Sequence, residues 1–200
     1  AKYIGPMFTS AKRRSNFETA PKENEAAIMA LAIYAGHHRF ANFVGNVQPE
    51  KGKLALPNII PRLGLRADLN QHFIFSAAIK ILSEQGLSIA IGEFKELMDR
   101  GDGGSGYSFV DLAADIAGVE FAITATSPSS ASIMQNILSG DIDESLFFPD
   151  INGFPEGLNK DEFRHRFTKI DSPEYLKMVR NIKQEIAELP IHRVRQQPDH

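Results

Sequence analysis

Residues 68–118 read DLNQHFIFSAAIKILSEQGLSIAIGEFKELMDRGDGGSGYSFVDLAADIAG, and this stretch decides the fold. Apolar residues recur along it at helical intervals, in three runs that are separated by Gly86 and by the glycine-rich loop 100–107. Acidic residues and a histidine interrupt the runs, and such groups lose free energy on burial unless they are hydrogen-bonded or paired. The stretch therefore predicts three packed helices that carry a polar site, over about 68–85, 88–98 and 108–124.

Helix signals also occupy much of the remaining chain. Acidic residues open an alanine-rich run at Glu23, Pro128 precedes a short run, and Ser172-Pro173 marks the start of a last helix that Pro190 ends. No convincing alternation typical of strands accompanies them. The expected fold class is mainly α, a compact bundle of about five to seven helices with long loops and little or no sheet.

Composition divides the chain into three parts. The polar residues 1–22, which contain two prolines, predict a flexible N-terminal arm. Residues 23–127 hold the strongest helical runs and predict a helical core domain that includes the polar stretch 68–118. Residues 128–200 are rich in turn residues and predict a C-terminal helical extension packed on the core.

Bulk composition excludes several function classes. There are 25 acidic and 22 basic residues, giving a net charge of −3, so no basic field favours nucleic acid as a partner. The absence of cysteine excludes disulfides and thiolate chemistry. No apolar run reaches the ~20 residues that cross a bilayer, so no transmembrane segment is predicted. Because the chain begins with Ala1, we expect that a leader peptide has been removed or that the sequence has been shortened.

His72 is predicted to point into the core. It shares a helical face with Phe75, Ser76 and Ile79, because residues three, four and seven positions apart align on a helix. A buried imidazole needs a partner for each ring nitrogen. Many such histidines are structural, so a structural and a chemical role both stay open at this point.

Acidic residues on the next two runs are candidates for the same site. Glu93, Glu96 and Asp99 lie at steps of three, which indicates either a solvated acidic stripe or one side of a site. Ser108 and Asp111 match the S-x-x-D capping box, which explains Asp111 without any chemistry.

Asp115 and Gly118 indicate a close contact with another helix. Asp115 lies among apolar residues and needs a buried partner or solvent, and His72 or Lys95 would serve as that partner. Gly118 and Ala114 form a small-x-x-x-small pair that allows a second helix to approach closely.

The candidate residues form two sets. The set that would carry a reaction is His72, Glu93, Glu96 and Asp115. The set for a polar network or ligand site is Asp68, Lys95, Asp99, Ser108 and Asp111. No motif supports metal binding by these acids and histidines, so neither a metal nor a cofactor is predicted, and the partner is unknown.

The polar stretch resembles a bacterial pattern, D-x-x-x-H-F, then G-x-x-K-E followed by Asp, then G-[FY]-S-x-x-D-L-x-A-[DN]-x-x-G. Its positions are filled here by Asp68, His72, Phe73, Gly92, Lys95, Glu96, Asp99, Gly106, Tyr107, Ser108, Asp111, Leu112, Ala114, Asp115 and Gly118. This is similar to the YfiM-type envelope lipoproteins and, more distantly, to the VanZ-like membrane proteins. The family often has Lys after the first Asp, where this chain has Leu69.

This resemblance covers about a quarter of the chain and implies a bacterial, envelope-linked helical module without a defined reaction. We therefore expect a protein of the periplasm or envelope, with a cytoplasmic location as the alternative. Its His, Glu and Asp side chains are expected to form a buried polar network that fixes helix packing or marks a ligand site.

Three alternatives stay open. A thinner resemblance to phage-type lysozymes, E-x8-D-x5-T, is carried by Glu93, Asp102 and Ser108, and implies hydrolysis of cell-wall glycan by a carboxylate pair. A metal-assisted hydrolase would use the same acids with His72. An interaction module would dock through the aromatic tail 146–155, whose aromatic residues are Phe147, Phe148 and Phe154.

Overall fold

The computed structural model describes residues 2–37, 40–44, 59–84 and 106–196. The α-helices in these ranges are α1 (Ile4–Arg14), α2 (Ala20–Leu31), α3 (Ala41–Val44), α4 (Ala67–Glu84), α5 (Phe109–Thr126), α6 (Ala131–Leu138), α7 (Lys160–Phe167) and α8 (Pro173–Ala187). A π-helical turn, Ala32–Gly36, continues α2, and 3-10 turns cover Glu144–Leu146 and Pro190–Gln196. Within these ranges β pairing is limited to two isolated bridges. The mainly α fold class, a helical bundle with loops, is confirmed.

Helices α4 and α5 form the most extensive helix pair in the described part of the chain. Their backbones approach at Gly118 of α5, where an added Cβ would lie 2.9 Å from the carbonyl carbon of Phe73 on α4. Glycine allows that approach because it has no side chain to meet the facing backbone. The close contact predicted from Ala114 and Gly118 is therefore confirmed.

An aromatic cluster fills the core beside this pair. Phe73 of α4 packs edge-on against Phe121 of α5, with ring centroids 5.2 Å apart. Phe147 and Phe148, which follow the 3-10 turn at 144–146, lie at centroid distances of 5.6 and 6.1 Å from Phe73. All four side chains are buried, and each such burial stabilises the fold by about 1.5–3 kcal/mol.

Residues 4–14 form α1, so the prediction of a flexible arm over 1–22 is wrong for this part of the chain. Ile4, Phe8 and Ala11 recur at steps of four and three, and all three are buried. Phe8 packs edge-on against Phe121 at a centroid distance of 5.7 Å. Polar residues such as Thr9, Ser10 and Lys12 alternate with these positions, and they hid the helical pattern.

Capping residues set where the last two helices begin. A complete capping box between Asn159 and Glu162 starts α7. Ser172 caps α8 by accepting a hydrogen bond from the Tyr175 N–H at 3.1 Å. The predicted start of the last helix at Ser172-Pro173 is confirmed, and this helix buries Ile182 and Ile186 against the rest of the bundle.

The predicted helix over 88–98 and most of the glycine-rich loop lie outside the described residues. The flanking helices, α4 and α5, carry the remaining polar residues of the stretch 68–118. None of the helices that the structure describes combines the length and the hydropathy needed to cross a membrane.

Candidate functional site

Polar residues of α4 and of α5 meet where the two helices pack. Three side chains on α4 lie at steps of four and share a face, and two on α5 do the same. Arg66, just before α4, and Glu156, just before α7, join them. We call this set the interhelical cluster; it consists of Arg66, Asp68, His72, Ser76, Asp111, Asp115 and Glu156.

One carboxylate oxygen of Asp115 contacts side chains on two successive turns of α4. Its Oδ1 lies 3.1 Å from Nδ1 of His72 and 2.7 Å from Oγ of Ser76. Because a carboxylate accepts and does not donate, the His72 Nδ1–H and the Ser76 hydroxyl are both donors. The pairing of Asp115 with His72, one of the two partners predicted for it, is confirmed.

The other ring nitrogen of His72 also faces a carboxylate. Its Nε2 lies 3.9 Å from Oδ2 of Asp111, which is too long for a hydrogen bond but close enough for strong Coulombic attraction. The His72 side chain is only 15% exposed, so solvent screens this contact weakly. His72 therefore lies between two acidic residues of α5.

Arg66 extends the cluster to the loop before α7. Its guanidinium forms ion pairs with Asp68 and with Glu156, and the pair with Asp68 is bidentate. Its Nη2 also lies 3.6 Å from Oδ1 of Asp111. Since Arg66 is about a third exposed and both ion-pair partners are 44% exposed, each pair contributes at most about 1 kcal/mol.

Asp111 has the least satisfied carboxylate of the cluster. Ser108 caps α5 by accepting a hydrogen bond from the Asp111 backbone N–H at 3.0 Å, as predicted. The carboxylate, however, faces His72 and Arg66. Its Oδ1 is buried and has no hydrogen-bond partner among the residues that the structure describes. Asp111 therefore has contacts beyond those of the predicted cap.

The cluster shifts the pKa values of its members in different directions. Burial alone would lower the pKa of His72, but the hydrogen bond to Asp115 and the charges of Asp115, Asp111 and Asp68 outweigh burial and raise it above its ordinary 6.5. Burial raises the pKa of Asp111 above its ordinary 3.8, against the attraction of His72. The hydrogen bond from Arg66 lowers the pKa of Asp68.

This arrangement restricts the chemistry available to the cluster. When His72 is protonated, Nδ1–H donates to Asp115 and Nε2–H faces Asp111, so neither nitrogen offers a lone pair to a substrate. Ser76 donates its proton to Asp115 and not to the imidazole, so these residues do not form a Ser–His nucleophile. No group of three or more acids and histidines in the described ranges could hold a metal ion. The geometry is that of an ion network.

The structure brings together part of the predicted site. Asp68, His72, Asp111 and Asp115 belong to the cluster, and Ser108 lies next to it as the α5 cap. The residues that lie outside the described part of the chain are Glu93, Lys95, Glu96, Asp99 and Asp102. Arg66 and Glu156 were missed by sequence reasoning; only the closeness of Arg66 to Asp68 at a helix start could have indicated the first.

The aromatic tail 146–155 does not form the predicted docking surface. Phe147 and Phe148 are 0% and 4% exposed, and Phe154 is half-buried against the core. Their apolar surface already contributes to the packing around Phe73. The interpretation of this tail as an interaction surface is therefore wrong.

No protein-family model, no curated protein and no solved structure matches this chain. Its function is therefore inferred from the interhelical cluster and from the helices that hold it.

Proposed function

We propose that the chain is a helical protein of the bacterial envelope in which the interhelical cluster is a protonation-dependent lock between α4 and α5. The observation that carries this proposal is the position of His72, with Asp115 at one ring nitrogen and Asp111 facing the other. An imidazolium attracts both carboxylates, whereas a neutral ring lacks that charge attraction. Protonation of His72 on α4 therefore strengthens the attraction between α4 and α5.

The envelope part of the proposal is supported by the motif of residues 68–118. Of the motif residues that the structure describes, Asp68, His72, Asp111 and Asp115 belong to the cluster, and Gly118 allows the helices to touch. Five motif residues that act in one helix contact are what a packing device requires. Cell fractionation of the source organism tests this part, because recovery only from the cytosol would contradict it.

Removing the charge of either partner of the His72–Asp115 pair is expected to destabilise the protein by about 1–2 kcal/mol. The pair is intermediate between exposed salt bridges and buried ones, since Asp115 is 40% exposed and His72 15%. Urea denaturation of the wild type, His72→Gln, Asp115→Asn and the double variant at about pH 6 should give a coupling free energy of about 1 kcal/mol.

A matched control is the ion pair on α2 between Lys22, whose side chain is 75% exposed, and Glu25, with an Nζ–Oε2 distance of 2.9 Å. The same cycle with Lys22→Gln and Glu25→Gln is expected to give a coupling below about 0.5 kcal/mol. A coupling at His72–Asp115 no larger than the control value contradicts the lock.

The lock is expected to weaken as the pH rises above neutrality. Because the pKa of His72 is higher in the fold than in the unfolded chain, its contribution is complete below 6.5 and is lost as the pH rises through the folded-state pKa. The raised pKa of Asp111 also makes the free energy of unfolding fall as the pH rises, over a lower pH range that begins at 3.8. Unfolding free energies should therefore fall as the pH rises above 6.5, more steeply for the wild type than for His72→Gln. Parallel curves for the two proteins would argue against a titrating His72.

A hydrolase is the second candidate, and one observation favours it. The pKa of Asp111 is raised while that of Asp68 is lowered, and such divergence separates the acid from the base in carboxylate hydrolases. Ser108, by contrast, caps a helix and does not stand on the hairpin that the lysozyme-like interpretation requires. Release of soluble fragments from purified peptidoglycan by the wild type, abolished by Asp111→Asn, would replace the lock with this candidate.

A further inference from the structure

A cavity of about 210 Å³ lies on the face of α4 that points away from the interhelical cluster. Asn70 and Ile74 line it, and each follows a cluster residue, Asp68 or His72, by two positions. Two positions correspond to about 200° around a helix, so the two sets of side chains point in opposite directions. The cavity is therefore a separate site, and its chemistry does not depend on the lock.

The inner wall of the cavity is apolar. It is lined by four buried side chains, which are Ile4 of α1, Leu31 of α2, and Phe73 and Ile74 of α4. Asn70, the one side-chain amide among the described lining residues, donates to the carbonyl oxygen of Ala35 at 2.9 Å. A polar group that entered this space would lose its water without a new partner, so the interior favours an alkyl chain.

The rim carries exposed apolar and cationic side chains. Ile59 and Ile60 are 55% and 63% exposed, and the Tyr3 hydroxyl fixes the rim by donating to the Ile59 carbonyl oxygen at 2.7 Å. Lys2 and Arg62 are also exposed at the rim. Neither has an acidic partner within the described ranges, where Arg62 makes one long hydrogen bond of 3.5 Å to a backbone carbonyl.

The rim therefore favours a negative charge. Lys2 and Arg62 supply two positive charges, and none of the described residues that line the cavity is acidic. The start of α1 at Ile4, which has no side-chain cap and no acid in its first turn, adds the positive end of a helix dipole. A ligand that fits both the apolar inner wall and the cationic rim has an apolar tail and an anionic head.

We propose that this cavity binds the alkyl chain of an anionic amphiphile, whose carboxylate or phosphate head contacts Lys2 and Arg62. Benzene, with six carbons, occupies a cavity of about 150 Å³, so in proportion a cavity of about 210 Å³ holds roughly eight carbons. The ligand class is therefore a straight-chain carboxylate or alkyl phosphate with a tail of about this length, free or as part of a lipid.

Titration calorimetry with butyrate, hexanoate and octanoate on the full chain tests the tail. Each buried methylene contributes about 0.8 kcal/mol, so octanoate is expected to bind roughly tenfold more tightly than hexanoate. Octyl phosphate tests the head: tighter binding than octanoate assigns a phosphate head, and weaker binding assigns a carboxylate. Affinity that does not depend on chain length, or no binding of either head group, overturns the proposal.

Charge reversal at the rim tests the head group without touching the core. The double variant Lys2→Glu/Arg62→Glu is expected to bind octanoate at least about tenfold more weakly and 1-octanol as well as the wild type does. Lys12→Glu/Arg13→Glu makes the same change in net charge at the exposed far end of α1 and should leave octanoate binding unchanged. Equal octanoate affinity in the two double variants overturns the role of Lys2 and Arg62.

Discussion

Replacing Gly118 with alanine is expected to destabilise the protein by about 3 kcal/mol, which lowers Tm by roughly 6–12 °C in a chain of this length. The new Cβ would lie 2.9 Å from the carbonyl carbon and 3.1 Å from the Cα of Phe73. These are backbone atoms, which cannot rotate away as a side chain can, so α4 and α5 must move apart. The higher helix propensity of alanine offsets only about 1 kcal/mol of this loss.

The Gly118 variant should also weaken the lock, because the cluster depends on the same helix spacing. Asp115 lies one turn before Gly118, and His72 is the neighbour of Phe73, so a wider separation lengthens the 3.1 Å contact between Asp115 and His72. The pH dependence of unfolding should therefore shrink together with Tm. The control is Val119→Ala, because Val119 is only half-buried on the same helix. This variant should shift the free energy of unfolding by less than about 1 kcal/mol. A Gly118→Ala protein as stable as this control would contradict the tight contact.

Replacing Asn24 with alanine is expected to cost about 3 kcal/mol of unfolding free energy. Asn24 is fully buried on α2, and its Nδ2 donates to the carbonyl oxygens of Ala125 at 2.7 Å and Ala131 at 3.0 Å. Its Oδ1 accepts from Nε2 of Gln135 at 2.9 Å. The Ala125 carbonyl lies in the last turn of α5, where the helix provides no partner, so alanine at 24 leaves it buried and unsatisfied.

Thermal and urea denaturation measure this effect against two further variants. Asn152→Ala removes an exposed asparagine whose side chain bonds Asp150, and should change stability by less than about 0.5 kcal/mol. Gln135→Ala should cost less than Asn24→Ala, and the double variant less than the sum of the two, because both residues belong to one network. Additive losses would mean that Asn24 and Gln135 act independently.

The central part of the fold and of the cluster could be predicted because its signals are local. Ser108 begins α5 through a cap that four consecutive residues specify. His72 and Asp115 are polar residues on strongly apolar helical faces, so each needed a partner, and few other groups could provide one. Gly118 indicated a close backbone contact because glycine is unfavourable inside a helix unless another element must approach there.

The remaining features depend on contacts between distant parts of the chain. Glu156 reaches Arg66 across 90 positions, and nothing around either residue indicates the other. Phe147 and Phe148 lie among acids and turn residues, which suggested an exposed tail, and it is Phe73 and Phe121 that bury them. Long-range packing of this kind overrides local composition, so the sequence alone could not decide between core and surface there.

The contact of Phe73 with Phe147 and Phe148 also sets when the protein can finish folding during synthesis. The ribosome releases Phe73 long before the two residues that cover it, so α4 and α5 emerge with part of their apolar surface in contact with water. That surface is available to chaperones until Phe147 and Phe148 have emerged from the ribosome. A nascent chain that stalls earlier carries an open core and is a substrate for quality control.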